Sequence, residues 1–207
     1  MTSHSLIPSL REQLSGPLPG WQAQWELASL PGRPRIAPDN HRKGGVLSLL
    51  YPHGEELFLV LMKRTEDGRV HSGQISFPGG RMEPHDPDLR MTALREAEEE
   101  LGIPITEVEV LGSLTELYIQ ASNFLVQPVV GYAAKRPNFR PSAVEVEEVV
   151  EIPLKTLLET PPAVTPVTVA SGFRLDARAF LVDHHVIWGA TAMMLNELLT
   201  VIRDISS

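Results

Sequence analysis

Three glutamates in one short stretch could share a metal ion. Glu96, Glu99 and Glu100 are spaced i, i+3 and i+4, so on a helix they lie on one face, where their carboxylates repel one another. If that face borders a cleft, a hard divalent cation such as Mg²⁺ would offset the repulsion, because it prefers oxygen ligands and bridges to substrate phosphates. A solvated acidic helix face is the alternative interpretation of such a run taken alone.

A double-glycine turn is predicted shortly before these glutamates. Phe77 and Pro78 lead into Gly79 and Gly80, where the missing Cβ allows a close approach of the backbone. A backbone carbonyl of this turn could therefore join the ligands of a metal ion. Arg95 directly precedes the first glutamate and can hold carboxylates in position through a bidentate pair. Together, the turn, the arginine and the glutamates favour a metal site over a solvated face.

This stretch resembles the signature of the Nudix hydrolase family. That signature places a glycine and a loop acid ahead of Arg-Glu, an aliphatic residue, Glu-Glu, a glycine and a second aliphatic residue. The second half is complete here from Arg95 to Ile103. The first half departs from the signature, because the segment between Gly80 and Arg95 is one residue longer than usual and either Glu83 or Asp86 carries the loop acid.

The resemblance implies a fold, a cofactor and a set of ligands. The fold would be α+β, an αβα sandwich built around a mixed β-sheet. The cofactor would be Mg²⁺ or Mn²⁺, since an oxygen ligand set accepts both. Arg95 would orient the carboxylates. The metal ligands would be Glu96, Glu99, Glu100 and Gly80.

A second motif is similar to one found in the coenzyme A pyrophosphatases of the same family. It places Arg64, Thr65, Arg69 and Gly73 in register ahead of Phe77. The resemblance implies that a metal-activated water hydrolyses coenzyme A or a derivative to 3′,5′-ADP and 4′-phosphopantetheine. Because coenzyme A is more anionic than ADP, its site needs cationic donors besides the metal. These donors would be Lys63, Arg64 and Arg69.

The general base that activates the water differs between members of this family. Glu96 is one candidate, in the acidic helix itself. A second acidic group supplies Glu145, Glu147 and Glu148 as candidates for a base or a further ligand. Strand alternation predicts that Glu145 and Glu147 share one face with Glu148 opposite. Glu145 is favoured because it matches the subfamily pattern.

Two other functions are left open. One is a Nudix pyrophosphatase for another nucleoside diphosphate derivative, such as ADP-ribose or a dinucleotide. The other is a non-catalytic nucleotide-sensing module, which would need a broken signature, whereas all three helix glutamates are present. No histidine has a zinc-like spacing to a second ligand, so we expect His184 and His185 to be loop or packing residues.

The element that must position the glutamates is a helix with clear boundaries. We expect Asp86 to cap it and Pro87 to occupy its first turn. Gly102 should end it after Leu101. An apolar stripe on another face should pack onto a sheet, and it consists of Ala93, Leu94, Ala97 and Leu101.

Strand patterns dominate the rest of the chain. Two apolar runs flank Pro-His-Gly-Glu-Glu and predict a hairpin. Strands are predicted at 46–51, 57–62, 74–77, 108–114, 124–132, 144–152, 164–169, 173–182 and 185–188, and further helices at 5–14, 153–158 and 190–202. We divide the chain into an N-terminal extension, 1–40, and a Nudix hydrolase domain, 41–207. The extension could cover the sheet or form a subunit contact in a homodimer.

Charge and composition exclude several classes of function. Eighteen basic against twenty-six acidic residues give a net charge of −8, which argues against nucleic acid and membrane surfaces as partners. The excess acid is concentrated in 81–109 and 144–151, so a small anionic substrate can still bind elsewhere. The absence of cysteine excludes disulfides and a cysteine nucleophile. The sequence has neither a long apolar run nor a signal-peptide core, and we expect a cytoplasmic location.

Overall fold

The computed structural model describes residues 3–29, 34, 36–66, 73–169 and 172–206. The α-helices in these ranges are α1 (Ser3–Leu14), α2 (Trp21–Trp25), α3 (Leu89–Leu101), α4 (Leu154–Glu159) and α5 (Gly189–Asp204), and a short 3₁₀ helix spans Ile105–Glu107. The strands are β1 (Arg42–His53), β2 (Glu56–Arg64), β3 (Ile75–Ser76), β4 (Gly79–Arg81), β5 (Val108–Ser113), β6 (Leu117–Ile119), β7 (Phe124–Ala133), β8 (Val146–Pro153), β9 (Ala163–Thr168), β10 (Arg174–Val182) and β11 (His185–Trp188). None of these helices is long and apolar enough to cross a membrane.

A mixed β-sheet forms the centre of the molecule. Its main path runs β3-β2-β1-β7-β5, while β4, β6 and β8 pair with β1, β7 and β2 respectively. β1 and β7 are parallel, and the other pairs of this sheet are antiparallel. A separate antiparallel sheet contains β9, β10 and β11 in the described part of the chain. The predicted mixed sheet is therefore confirmed.

Helices cover both faces of the mixed sheet. Because side chains alternate along a strand, β1 buries Leu47, Leu49 and Tyr51 on the face that α3 covers, and Leu50 on the opposite face. The opposite face packs against α1, α4 and α5 together with the second sheet. This layering confirms the predicted αβα sandwich of the α+β class.

Helix α3 has the predicted end and apolar face but a different cap. Ala93, Ala97 and Leu101 are fully buried against the sheet, and Gly102 ends the helix with φ 67°, a conformation that glycine adopts without strain. The predicted cap at Asp86 is wrong. Asp88 caps α3 instead, since its Oδ1 accepts a hydrogen bond from Met91 N at 2.9 Å.

Three short elements in the described part of the chain were not predicted from the sequence patterns. α2 lies in a segment rich in proline and glycine, β6 has only three residues, and β4 occupies the expected double-glycine turn. Gly45 and Gly80 face each other across the β1–β4 pair. A Cβ on Gly45 would lie 2.3 Å from Leu89 O, so glycine also lets α3 approach this strand closely.

The N-terminal segment packs onto the same core as the rest of the chain. Leu6 and Leu10 of α1 are buried in the cluster that contains α5. Asn196 Nδ2 of α5 donates to Ala23 O of α2 at 2.8 Å. These contacts cover one face of the sandwich, while the division at residue 40 stays a prediction from sequence.

Candidate functional site

The first glutamate of α3 lies directly against the backbone of β4. α3 packs against both β1 and β4. A Cβ atom on Gly80 would lie 2.5 Å from the carboxylate of Glu96. A side chain at position 80 would therefore displace this carboxylate, and glycine leaves it in place beside the strand. The side chain of Glu96 is 17% exposed, so most of it is enclosed at this contact.

A buried ion pair between Asp86 and Arg95 holds the loop that joins β4 to α3. Arg95 donates from Nε and from Nη2 to the two carboxylate oxygens of Asp86, both at 3.0 Å. Asp86 also accepts from Thr92 Oγ1 and from Glu83 N. These donors hold the pKa of Asp86 well below its usual range, against the opposing effect of burial. The loop acid left open between Glu83 and Asp86 is therefore Asp86 by geometry.

Arg95 also reaches the glutamates of its own helix. Its Nη2 lies 2.9 Å from Glu96 Oε1, and its Nη1 donates to Glu99 Oε2 at 3.1 Å. Nη2 donates as well to the carbonyl of Arg81 at the end of β4. One guanidinium thus connects the loop, the strand and two carboxylates.

Glu100 is the most buried of the three glutamates. Its side chain is 2% exposed and accepts from Arg64 Nη1 at 3.0 Å and from Gly79 N at 2.7 Å. Burial raises the pKa of Glu100 to about 7, although Arg64 and the Gly79 amide oppose the rise. Its two donors therefore only partly offset the cost of burying this carboxylate.

Burial also outweighs the neighbouring positive charge at Glu96, whereas Glu99 is exposed. Burial raises the pKa of Glu96, and the negative charges of Glu99 and Glu145 add to the rise, against the effect of Arg95. The side chain of Glu99 is 57% exposed and leaves the cluster open to solvent on that side. The three carboxylates thus form an acidic surface with one edge accessible from solution.

The donors at this surface fit a hard divalent cation. Carboxylate oxygens are the ligands that Mg²⁺ and Mn²⁺ prefer. The two enclosed carboxylates, Glu96 and Glu100, have raised pKa values because nearby arginines do not fully offset burial. Added positive charge would offset it. The absence of a side chain at Gly80 keeps the space beside Glu96 clear.

The expected basic donors lie at different distances from this surface. Arg64 contacts Glu100 directly. Lys63 instead pairs with Glu147, with 2.6 Å between Nζ and Oε1, and this hydrogen bond raises the pKa of Lys63. Arg69 lies outside the described residues. Of the described pair, only Arg64 contacts the helix glutamates.

The second acidic group does not follow the predicted strand alternation. Glu145 lies in a turn before β8, which begins at Val146, and its carbonyl accepts from Thr65 N at 3.1 Å. A register shift next to Arg64 interrupts the β2–β8 pairing. The interpretation that Glu145 and Glu147 share one strand face is therefore wrong. Glu145 is exposed, and its charge acts on Glu96.

A pocket of about 270 Å³ opens beside the acidic surface. Gly79, Gly80 and Arg64 belong to both the pocket and the surroundings of the glutamates. The pocket is lined mainly by apolar side chains, which include Val46, Phe77, Ile119, Phe124, Trp188 and Met194. The pocket thus combines a mostly apolar lining with one charged side chain, Arg64, which contacts Glu100.

The sequence did not predict this pocket. Its lining comes from α5 and from seven strands, β1, β2, β3, β4, β6, β7 and β11, and several of these elements are far apart along the chain. Trp188 and Thr191 lie in or next to segments with predicted strand and helix patterns, 185–188 and 190–202, but those patterns do not indicate a pocket. Ile119 and Ser122 gave no local signal, since β6 was not predicted.

Comparisons with known proteins agree with this geometry. A family model for the NUDIX domain matches residues 40–165. An uncharacterized Nudix hydrolase, NudL, of Photorhabdus laumondii subsp. laumondii is 34% identical over 169 residues, which cover 82% of this chain and 89% of the relative. The NudL of Yersinia enterocolitica is 38% identical over 149 residues, covering 68% and 71%.

A solved structure shares the fold at low sequence identity. The crystal structure of a MutT/nudix family protein from Enterococcus faecalis covers 95% of this chain and 73% of its own, with a TM-score of 0.53 and 15% identity. The match over residues 40–165 includes α3, the glycines of β4 and the Asp86–Arg95 pair. The chain therefore belongs to the Nudix hydrolase family.

Proposed function

We propose that this Nudix hydrolase cleaves the pyrophosphate bond of coenzyme A or one of its derivatives. Water adds across the P–O–P linkage, and the products are 3′,5′-ADP and 4′-phosphopantetheine. The observation that carries the proposal is the pocket that joins the acidic surface, with Arg64 at the junction. Such a site suits a substrate with a charged anhydride and a long, less polar arm.

The helix glutamates are the proposed ligands of a divalent metal ion. Nudix hydrolases generally need divalent metal ions, and Mg²⁺ or Mn²⁺ suits the oxygen donors of Glu96, Glu99, Glu100 and the Gly80 carbonyl. Such an ion supplies charge neutralisation for the phosphates and lowers the pKa of a water molecule. Arg95 positions Glu96 and Glu99, and Asp86 fixes Arg95 in turn.

Glu145 is the proposed general base, with Glu96 as the alternative. Glu96 is enclosed between Arg95 and the Gly80 backbone, which suits a ligand. Glu145 is exposed, yet close enough to Glu96 for its charge to act on it. A carboxylate at the open side of the cluster can accept a proton from water without leaving the metal ligands incomplete.

The basic residues before β3 are proposed to bind the phosphates of the substrate. Arg64 lines the pocket and contacts Glu100, so a phosphate at the junction would lie within its reach. Lys63 and its partner Glu147 are 31% and 45% exposed, which leaves Lys63 accessible to a second phosphate. Arg69 completes the proposed set on the grounds of the sequence motif. The 3′-phosphate is the group that demands this extra positive charge.

Steady-state kinetics with three substrates test the proposal. The values of kcat/KM are compared for coenzyme A, dephospho-coenzyme A and ADP-ribose in the presence of Mg²⁺ or Mn²⁺. We expect coenzyme A to give the largest value, because it alone of the three carries the 3′-phosphate. A larger value for ADP-ribose would contradict coenzyme A as substrate and leave hydrolysis of a diphosphate bond in place.

Paired variants test the roles of individual residues. Replacing Arg64 by Gln should raise KM for coenzyme A more than for dephospho-coenzyme A if Arg64 binds the 3′-phosphate. Glu145→Gln should lower kcat and remove the acidic limb of the pH profile, since the base is then missing. Glu98→Gln is the matched control on the acidic helix, because Glu98 is exposed and faces Ile105 N. An unchanged kcat in Glu145→Gln would assign the base to another residue.

A further inference from the structure

A glutamate and two histidines meet at a place remote from the helix glutamates in sequence. Glu148 lies on β8, and His184 and His185 lie at the turn between β10 and β11. The Nε2 atom of His185 is 3.4 Å from one oxygen of Glu148, and the Nε2 atom of His184 is 3.9 Å from the other. One donor atom from each residue can be chosen so that all lie within 4.8 Å of one another.

These distances are close to those between the ligands of a tetrahedral metal ion. Zn²⁺ binds imidazole nitrogen and carboxylate oxygen at about 2.0–2.2 Å, so neighbouring donors in a tetrahedral site are about 3.3–3.5 Å apart. The Glu148–His185 distance already lies in this range. A modest rotation of the His184 ring would bring the third donor into it.

The local backbone holds the two rings together. Asp183 has φ 52° and allows a tight turn after Val182, which pairs with His185 across the hairpin. The ring centroids of His184 and His185 are 3.9 Å apart. His185 is 8% exposed and His184 is 75% exposed, so the His185 ring is held inside the protein and the His184 ring lies on the solvent side of the group.

We propose that Glu148, His184 and His185 bind a transition-metal cation of the Zn²⁺ class. Imidazole ligands select Zn²⁺, Co²⁺, Ni²⁺ and Cu²⁺ over Mg²⁺, so this site differs in chemistry from the carboxylate site on α3. Three protein ligands leave a fourth position for water. The proposal stands whether or not the chain hydrolyses coenzyme A.

Metal binding here would link the two sheets. Glu148 belongs to β8 of the mixed sheet, and both histidines belong to the hairpin of the second sheet. Strand β11 continues from His185 to Trp188, which lines the pocket beside the glutamates. Lys63 is a cation in these surroundings, since it lies opposite Glu148 in the β2–β8 pair and donates a hydrogen bond to Glu147.

Zinc titration of the full chain tests this site. The protein is stripped with a chelator and titrated with Zn²⁺ in a large excess of Mg²⁺, so that the carboxylates of α3 are occupied by Mg²⁺. Calorimetry should show one equivalent of Zn²⁺ bound. His184→Ala, His185→Ala and Glu148→Gln should each weaken Zn²⁺ binding by at least about tenfold, since each removes a direct ligand.

Two variants serve as matched controls for this titration. Glu147→Gln changes the neighbouring carboxylate, and His53→Ala removes an exposed histidine that packs on Phe58. Both should bind Zn²⁺ as the unchanged chain does. Equal Zn²⁺ affinity in His184→Ala, His185→Ala and the unchanged chain would overturn the proposal. The three side chains would then form an ordinary contact between two histidines and a carboxylate.

A measurement on the unchanged chain removes any dependence on the folding of the variants. Imidazole ¹H–¹⁵N correlation spectra are recorded while Zn²⁺ is added in excess Mg²⁺. The Nε2 signals of His184 and His185 should shift together and saturate at one equivalent, while the signal of His53 stays in place. No shift at His184 and His185 would overturn the proposal. Among the variants, His184→Ala is the least disruptive, because His184 is mostly exposed.

Discussion

Glu100 and Glu151 have similar hydrogen-bond partners, but their pKa values are shifted in opposite directions. Glu100 accepts from Arg64 and from the Gly79 amide, and Glu151 accepts from Arg136 through both oxygens and from the Tyr51 hydroxyl. The pKa of Glu100 is raised to about 7. The pKa of Glu151 is lowered. The donors around Glu151, including Arg136, are therefore enough to stabilise its negative charge. The donors around Glu100, including Arg64, are not.

Burial and neighbouring charge explain the difference. The Glu100 side chain is 2% exposed, against 21% for Glu151, and the charge of Glu96 raises the pKa of Glu100 further. Around Glu151, burial is outweighed by the hydrogen bonds from Arg136 and Tyr51. An acidic group that its own protein leaves under-compensated is a candidate for a cation from solution. A carboxylate whose charge is stabilised by the donors around it, such as Glu151, instead contributes to the stability of the fold.

The largest expected effect follows from removing a proposed metal ligand. In Glu99→Gln, kcat for coenzyme A should fall on the order of 1,000-fold, because a ligand of a catalytic metal supports several kcal/mol of transition-state stabilisation. Glu99 is exposed, so circular dichroism and thermal unfolding should stay unchanged. Glu98→Gln, on the same helix, should keep full activity. Activity retained in Glu99→Gln would remove Glu99 from the metal ligands.

The Asp86–Arg95 pair should dominate the stability of the site. Asp86→Asn leaves the buried guanidinium short of one charge partner, and we expect the free energy of unfolding to fall by about 3 kcal/mol. Denaturant titration measures the change. Asp88→Asn is the control, since asparagine caps a helix about as well as aspartate and the cost should stay within about 0.5 kcal/mol. Equal costs in the two variants would contradict Asp86 as the loop acid.

Gly80→Ala should lower kcat while it leaves the stability of the fold nearly unchanged. The added Cβ would lie 2.5 Å from the carboxylate of Glu96, and the flexible end of that side chain must move away. We expect kcat to fall about tenfold with little loss of stability, because a proposed ligand is displaced and the core is untouched. Gly16→Ala, which has only Gln13 O nearby at 3.5 Å, should change neither quantity. Full activity in Gly80→Ala would show that the close contact of Glu96 with β4 does not matter for turnover.

The smallest effect is expected around Glu151, where Arg136 and Tyr51 stabilise the carboxylate. Glu151→Gln should lower the free energy of unfolding by about 1 kcal/mol at neutral pH and leave kcat unchanged. The glutamine oxygen can still accept one hydrogen bond, so the loss should be close to that of one typical hydrogen bond. Since the pKa of Glu151 is lowered in the folded state, its stabilising effect is complete above the unfolded-state pKa of 4.5 and is lost as the pH falls through the lower folded value. Denaturant titrations at several pH values measure the difference, and a difference that grew on acidification would contradict this sign.

The sequence predicted the elements that have long, regular patterns. The acidic helix α3 and the β1–β2 hairpin lie where the apolar periodicity predicted them, because burial of one face determines the pattern of both. The helix cap was wrong, since Asp86 and Asp88 are both suitable residues and only the tertiary contact with Arg95 distinguishes them. Spacing in sequence also could not show that Glu148 meets the hairpin histidines.

The part of the candidate site that lies within one element was predicted, and the part that depends on tertiary contacts was not. Glu96, Glu99 and Glu100 follow from helical spacing within a single element. The burial of Glu100 beneath Arg64 and the pocket beside Gly80 depend on how distant strands meet. Strand alternation failed at Glu145, because the strand begins one residue later and its pairing with β2 shifts register.

The products formed from coenzyme A test the central claim most directly. The full chain is incubated with coenzyme A and Mg²⁺ or Mn²⁺, and the mixture is analysed by liquid chromatography and mass spectrometry. We predict 3′,5′-ADP and 4′-phosphopantetheine in equal amounts, formed at the same rate by the unchanged chain and by Glu98→Gln. Glu99→Gln should form them on the order of 1,000-fold more slowly. Intact coenzyme A under conditions in which ADP-ribose is hydrolysed would contradict the proposed substrate.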